Sequence, residues 1–405
     1  MRFLLLTQYF LPEVGASQVR LAAVVRRLKA EGHEVEVVTA MPNHPVGTIF
    51  PEYRGRFYQK DTWEGVTVHR VWVYASMGAG LKRIVNYLSF MVLCMFGILR
   101  CKKPDFLFVE SPPLFTSIPA WIASRWWRVP FIFNVADLWP DSVKRLGVMK
   151  DGWMLRLAEH LEHWSYRKAT YVNAVTQGIH EELIQTKGLP ESKVLNLFNG
   201  VDLELYQPAA EAPGLRAELG LPEGPVLLYA GTHGYAHGME VALEAAALLT
   251  QEKVQFLFVG DGSEKPKLLA RAKEMGLTNV HFHDPVPPER MSAFYGLSIA
   301  GLSTLRNNPL FVMTRPVKIL GNMACAKPVV YVGEGEGAKL VQEAGSGPVV
   351  PPENPQALAQ AVRDLLKNPE AQSRYGAAGR AYVEANMSWD AMVKTWLKSL
   401  EEAHV

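Results

Sequence analysis

The feature that most constrains the fold is a strand–helix alternation that runs twice through the chain. In the front half, short apolar runs at Arg2–Leu6, Glu34–Thr39, Val66–Val71, Phe106–Val109, Phe131–Val135, Tyr171–Ala174 and Val194–Leu197 read as strands. Helical patterns lie between several of them, at Ser17–Ala30, Leu81–Arg100, Ser117–Trp126 and Trp153–Lys168. Strands that alternate with helices pair in parallel and bury both faces of the sheet under those helices. The Pro-, Ala- and Gly-rich stretch 207–224 then breaks the pattern and reads as a linker. Beyond it the alternation resumes, with strands at Val226–Ala230, Val254–Val259, Val280–His283, Ile299–Leu302 and Pro328–Val332. Helical patterns follow at Met239–Leu249, Lys265–Met275, Gln356–Lys367, Ala371–Ala385 and Trp389–Glu402. The expected fold class is therefore α/β, with two Rossmann-like, doubly wound parallel-sheet domains at 1–206 and 225–386 and a last helix in 387–405. A chain of 405 residues gives each half about 200 residues, an ordinary size for one core.

Composition excludes several classes. The formal net charge is only +2, so no nucleic-acid partner is expected. The three cysteines, Cys94, Cys101 and Cys325, form no CxxC pair, which favours a reducing, cytoplasmic compartment over a disulfide framework or a zinc site. His160 and His163 stand three apart on a charged helix and read as a solvated face. The apolar start Phe3–Leu6 runs into a Pro/Gly turn and reads as a first buried strand rather than a signal peptide.

In open parallel sheets, ligands bind beyond the carboxyl ends of the strands. The turn after the first strand carries Glu13 and Gly15, and Gly15 at a helix start offers backbone to an anion. The next turn holds Asn43 and His44. Glu110 ends a later strand, and Asp137-Leu138-Trp139-Pro140-Asp141 follows another. A carboxylate beside an aromatic platform suits binding or deprotonation of a sugar hydroxyl, which makes Asp137 the catalytic candidate, ahead of Asp141. Thr176 and Asn199 sit in two further turns. In the back half, Gly231-Thr232-His233-Gly234 and His237-Gly238 run toward a helix, a spacing that suits a phosphate cradle. Gly260-Asp261-Gly262 closes the following strand, and Val286 lies in the loop beyond the third. Arg315 and Lys318 offer cations for a diphosphate. No DxD lies in a plausible turn, so no metal is expected at the site.

The order of these motifs resembles family 4 glycosyltransferases of the GT-B architecture. The matching pieces are Tyr9–Ala16, Asp137–Asp141, Asn199–Asp202, Gly231–Gly234, Gly260–Gly262 and Lys318 through Met323–Val330. Asp137–Pro140 and Pro316–Lys318 are most similar to a branch that resembles the colanic-acid and O-antigen N-acetylfucosamine transferases. The resemblance implies two domains facing a cleft and a last helix crossing back to the first. It implies a nucleoside-diphosphate sugar donor, most often UDP-linked, held by the back domain, and a lipid-linked saccharide acceptor on the front one. It also implies retention of configuration and no obligatory cofactor. The donor residues would be Gly15, Gly231, Thr232, His233, Gly234, His237, Gly260, Asp261, Gly262, Val286, Arg315 and Lys318. The acceptor residues would be Glu13, Asn43, His44, Glu110, Trp139, Asp141, Thr176 and Asn199. Two positions depart from the family pattern: Met313 and Gly321 stand where glutamates are usual. Basic residues that many members carry after the first glycine turn are also missing. A nucleotide-sugar epimerase and a non-catalytic nucleotide-sugar-binding subunit are the rival classes.

The most apolar segment is 84–99, flanked by Lys82 and Arg83 before it and Arg100, Lys102 and Lys103 after it. Sixteen helical residues span about 24 Å, short of a hydrocarbon core of roughly 30 Å. Two readings remain for 81–103: a core helix of the front domain, or a helix lying partly in the bilayer interface as a peripheral contact on the inner face of the cell membrane, which a lipid-linked acceptor would require.

Overall fold

The computed structural model of the chain describes residues 1–13, 15–76, 80–145 and 152–404; Val14, in the first turn, lies outside the described residues. The chain divides into two units. One comprises Met1–Asn199 with Met392–Val405, the other Gly200–Ala391.

The first unit is built on eight strands: β1 (Arg2–Leu6), β2 (Glu34–Ala40), β3 (Tyr58–Trp63), β4 (Val66–Val71), β5 (Phe106–Ser111), β6 (Phe131–Val135), β7 (Tyr171–Ala174) and β8 (Val194–Asn196). Their order is β3-β4-β2-β1-β5-β6-β7-β8. All neighbours are parallel except the β3–β4 hairpin. That hairpin turns on Glu64 and Gly65, both at positive φ (47° and 74°), as tight two-residue hairpin turns demand. The central strands are buried along nearly their whole length, which explains their unbroken apolar sequence. The segment Met392–Val405 adds to this core through Trp396, which is fully buried and lies 5.9 Å from the Phe3 ring and 5.8 Å from Phe108.

The second unit carries β9 (Val226–Ala230), β10 (Gln255–Val259), β11 (Val280–His283), β12 (Ala300–Thr304), β13 (Val329–Val332) and β14 (Val349–Val350), all parallel, in the order β11-β10-β9-β12-β13-β14. The proline-rich stretch 207–224 packs onto this unit. Leu215 and Leu221 join a core cluster with Met291 and Phe294. Gly296 owes its identity to the same stretch, since a Cβ there would lie 2.3 Å from the Ala210 carbonyl oxygen.

Each sheet has a point where the chain order reverses. In the first it falls between β1 and β5, in the second between β9 and β12. The loops leaving those strands are where a doubly wound sheet opens a crevice.

Candidate functional sites in the two units

In the second unit the reversal point assembles a cation on a glycine turn. The loop after β9 passes through Gly231 (φ 141°) and one 3₁₀ turn, Tyr235–His237, before the helix Glu240–Leu248 begins. Thr304, the last residue of β12, holds that loop: its Oγ1 donates to the His237 carbonyl at 2.6 Å. Arg306 fastens it further, donating from Nε to the Tyr235 carbonyl at 2.6 Å and pairing with Glu240 at 2.6 Å. Lys318, the first residue of the helix Lys318–Ala324, reaches into this crevice. Its Nζ lies 3.3 Å from His237 Nδ1 and 4.6 Å over the Tyr229 ring, and its Cε would be 3.1 Å from a Cβ at Gly231. The helix sits close against β12 because Gly301 has no side chain. A Cβ there would overlap Asn322, whose amide donates to the Lys318 carbonyl at 2.8 Å.

Electrostatics make this cation unusual. Burial pushes the Lys318 ammonium down to about 7, because no anion among the described residues compensates its lost hydration. His237 is lowered to about 3, by burial and then by Lys318. His233 is lowered to about 4, again chiefly by burial. Both histidines are neutral at physiological pH.

The remaining donor candidates fall into two groups. Gly260 (φ 145°) and Gly262 (φ 158°) serve close approach of one turn to the other: a Cβ at Gly260 would lie 2.0 Å from the Gly231 carbonyl oxygen, and one at Gly262 would lie 2.4 Å from that of His233. His233 stitches the two turns by its main chain, donating to the Asp261 carbonyl and accepting from Glu264 N. Its ring is fully buried beside Tyr229, Phe258 and Phe282, so its imidazole shapes the floor of the turn. Thr232 contributes its carbonyl to the Tyr229 hydroxyl at 2.8 Å, and Gly234 has ordinary extended backbone. Asp261 caps its own turn through Gly262 N at 2.8 Å. Val286 packs on the cluster under β9, and Arg315 is buried 3.7 Å from Glu336. Arg315 is thus an internal cation, set apart from Lys318 by its carboxylate partner.

The first unit keeps its candidates in separate groups. Glu13 is buried, and its carboxylate accepts from the backbone N–H groups of Asn43 (2.7 Å), His44 (2.8 Å) and Phe10 (3.2 Å). Burial raises it to about 7 against the lowering effect of these bonds. It ties the β1 turn to the β2 turn. His44 stands beside the Tyr9 ring at 5.7 Å, and burial and Arg83 lower its basicity. Gly15 precedes the helix Ala16–Ala30 in extended backbone (φ −179°), with Ser17 inside the first turn donating to Glu110 at 3.0 Å. Glu110 belongs to a polar row across three neighbouring strands. It pairs with Arg20 and accepts from Asn134, on the adjacent strand, at 2.7 Å; Asn134 in turn accepts from Asn173 at 2.6 Å. Thr176 caps the helix Gln177–Gln185 by accepting from Ile179 N, and Asn199 N donates to the Val175 carbonyl.

Asp137 and Asp141 separate cleanly. Asp141 is bound by Lys187 at 2.8 Å, and Lys187 also holds Glu162 at 2.8 Å. Asp137 accepts only from neutral donors, Ser142 Oγ at 3.1 Å and the Leu138 backbone, and has no cation partner among the described residues. Asp137 is exposed, yet desolvation by the protein around the carboxyl raises it above its usual range. A carboxylate made more basic without a counter-ion is suited to take a proton. Trp139 is half-buried beside it. Sequence reasoning missed Tyr229, Thr304, Arg306 and Asn322. They lie on strands or read as ordinary polar positions, and only the register of β9 with β12 brings them to the crevice.

Two tandem Rossmann-like units, with a half-buried lysine at the reversal point of the second, make a two-domain α/β protein. Residues 15–200 match the glycosyl transferase 4-like domain, and residues 224–368 match glycosyl transferases group 1. WcaI of Escherichia coli (strain K12), named as a colanic acid biosynthesis glycosyl transferase, is 25% identical over 96% of this chain and 97% of its own length. The D-inositol 3-phosphate glycosyltransferase of Thermobifida fusca (strain YX) is 24% identical over 96% of this chain and 89% of its own. Among solved structures, Anabaena HepE in complex with UDP aligns with a TM-score of 0.72 at 19% identity, covering 99% of this chain and 100% of that one. The sucrose-phosphate synthase of Thermosynechococcus elongatus aligns at 0.76 with 17% identity, covering 100% and 99%. The chain belongs to the GT-B glycosyltransferases, with a glycosyl transferase 4-like domain followed by a group 1 domain.

Proposed function

We propose that this enzyme transfers a sugar, N-acetylated in its natural donor, from a UDP-linked donor to a lipid-linked saccharide during assembly of a bacterial surface polysaccharide. The second unit would hold the donor and the first the acceptor. The observation that carries this reading is Lys318 at the glycine turn: a half-buried ammonium without an anionic partner among the described residues, in reach of opened backbone, suits a diphosphate. The solved relative that holds UDP, and relatives named for colanic acid biosynthesis and lipopolysaccharide biosynthesis, support the choice of donor and setting. As the anomeric carbon becomes oxocarbenium-like, Lys318 and the turn amides would stabilise the leaving diphosphate, with no metal required. Configuration would be retained, and Asp137 would orient the acceptor hydroxyl or take its proton.

The test is transfer by purified protein from UDP-sugars to a lipid-linked saccharide. Asp137→Ala is expected to lower turnover by at least about 100-fold while leaving donor affinity within about twofold. Near-normal turnover in that variant removes Asp137 from the chemistry.

Peripheral membrane binding on the cytoplasmic side is part of the same proposal. The helix Leu81–Ile98 is long and apolar enough to cross a membrane by length and composition. One face is occupied by the protein: Phe90, Cys94, Gly97 and Ile98 are buried, and Asn86 is bonded to Gln8 at 2.7 Å. The other face leaves Leu81, Val85, Leu88, Val92 and Leu99 exposed, a stripe at heptad spacing. Trp126 on the neighbouring helix Ser117–Trp127 is also exposed. Exposed Lys82, Arg100, Lys102, Lys103, Arg125 and Arg128 border these positions in sequence and would meet anionic headgroups. A helix half-buried in protein with a bordered apolar stripe fits a place in the interface plane. Replacing Val85, Leu88 and Val92 together by serine is expected to weaken binding to vesicles containing anionic lipid by roughly 100-fold. Unchanged sedimentation with those vesicles would refute the membrane reading.

A further inference from the structure

Away from both candidate sites, three side chains of different donor type converge at the foot of this same helix. Glu36 lies on β2, His69 on β4, and Cys101 just beyond the end of the helix Leu81–Ile98. Their ligand atoms all lie within 4.8 Å of one another, and His69 Nε2 is 3.1 Å from Glu36 Oε2. Tetrahedral zinc places its nitrogen, oxygen and sulfur ligands about 3.3–3.7 Å apart, so small rotations would close this set on an ion. The imidazole is held from behind: His69 is 3% exposed, and its Nδ1 is 2.8 Å from the Tyr58 hydroxyl. A hydroxyl accepts as readily as it donates, so the Tyr58 oxygen can accept a hydrogen bond from Nδ1–H and leave the Nε2 lone pair free for a metal. The sequence conceals the arrangement because the three residues come from three segments and match no ligand spacing.

We propose that Glu36, His69 and Cys101 form a binding site for a thiophilic divalent cation, of which zinc is the representative. Neutral imidazole, carboxylate and thiolate would supply three ligands, with water in the fourth position. The Cys101 proton goes to solvent on binding, and the resulting thiolate and the Glu36 carboxylate balance the charge of the ion. This balance matters because the Arg100 cation stands nearby, 4.9 Å over the Tyr58 ring. The Lys102 backbone N–H donates to Glu36 Oε1 at 3.4 Å. Occupancy would staple the C-terminal end of the helix Leu81–Ile98 to β2 and β4. The apolar stripe of that helix would then be held on a fixed base.

The test is titration of the full-length protein, without a polyhistidine tag, with cobalt(II) and then zinc(II). One equivalent of cobalt is expected to produce a thiolate-to-metal charge-transfer band in the near ultraviolet, which zinc abolishes by displacement. Cys101→Ser should lose the band, Glu36→Gln should weaken binding at least tenfold, and zinc should raise the thermal midpoint of the parent but not of Cys101→Ser. Both substitutions are close in size at half-buried positions, so each variant is expected to fold, which far-ultraviolet circular dichroism checks. Absence of the band at one equivalent overturns the proposal. So does a band, or a stabilisation by zinc, that persists in Cys101→Ser.

Discussion

Lys318→Met is expected to weaken UDP-sugar binding by about 100-fold and at the same time to raise the thermal midpoint. The two effects have one cause. The Lys318 side chain is half-buried, with its ammonium against the His237 ring and the Tyr229 face, and no carboxylate pairs with it among the described residues. An unpaired buried cation costs stability, and a methionine of similar shape removes that cost. A diphosphate would supply the missing anion, and charge-assisted hydrogen bonds to it are worth about 1.5–3 kcal/mol. Calorimetric titration and a melting curve on the same preparation read both quantities. Lower affinity with a lower midpoint would point to collapse of the turn instead.

The same residue sets a pH dependence with a definite sign. Free Lys318 sits near 7, and a bound diphosphate must raise it. Above about pH 7, binding therefore takes up a proton, and affinity for a UDP-sugar falls with rising pH by up to about tenfold per unit. Below about pH 7 the lysine is already charged and the dependence flattens. Lys318→Met, lacking the titrating group, should show a flat profile between about pH 7 and pH 8, where the UDP-sugar itself does not titrate.

Much of this was legible in the amino-acid sequence, and the parts that were not share a physical reason. Buried parallel strands announce themselves by continuous apolar runs, and the sequence places twelve of the fourteen strands among the described residues close to where they lie. The two missed are β3, a polar edge strand with half-exposed residues, and β14, with only two residues. The helices Met291–Leu297, Lys318–Ala324 and Glu336–Glu343 were also missed. They have seven or eight residues, barely two turns, too short for a helical period to stand out from the core residues around it. Among site residues, Lys318 was found because a cation near a glycine turn is a readable chemical pairing. Arg315 looks equivalent in sequence, and its half-buried partner Glu336 distinguishes the two. The reason for Gly260 and Gly262 was illegible, because the carbonyls they approach belong to a turn almost thirty residues earlier.

Glu110→Ala is expected to cost about 3–5 kcal/mol of stability, roughly a 10 °C fall in the thermal midpoint. In sequence, Glu110 is a carboxylate at a strand end, the usual signature of a ligand contact. In the structure both of its oxygens are occupied from within: one by Arg20 and Ser17, the other by Asn134. The row continues to Asn173 on β7, and the one carboxylate satisfies polar groups on β6 and the helix Ala16–Ala30. Deleting it strands a guanidinium that is 8% exposed, and an uncompensated buried charge is costlier than the pair was favourable. Glu110→Gln keeps the shape and one acceptor but not the charge, so its cost should fall between that of alanine and zero. Denaturant unfolding of the two variants gives the ordering. A midpoint unchanged in Glu110→Ala, with acceptor affinity lost, would mean that the carboxylate serves the substrate and that Arg20 finds its counter-charge elsewhere.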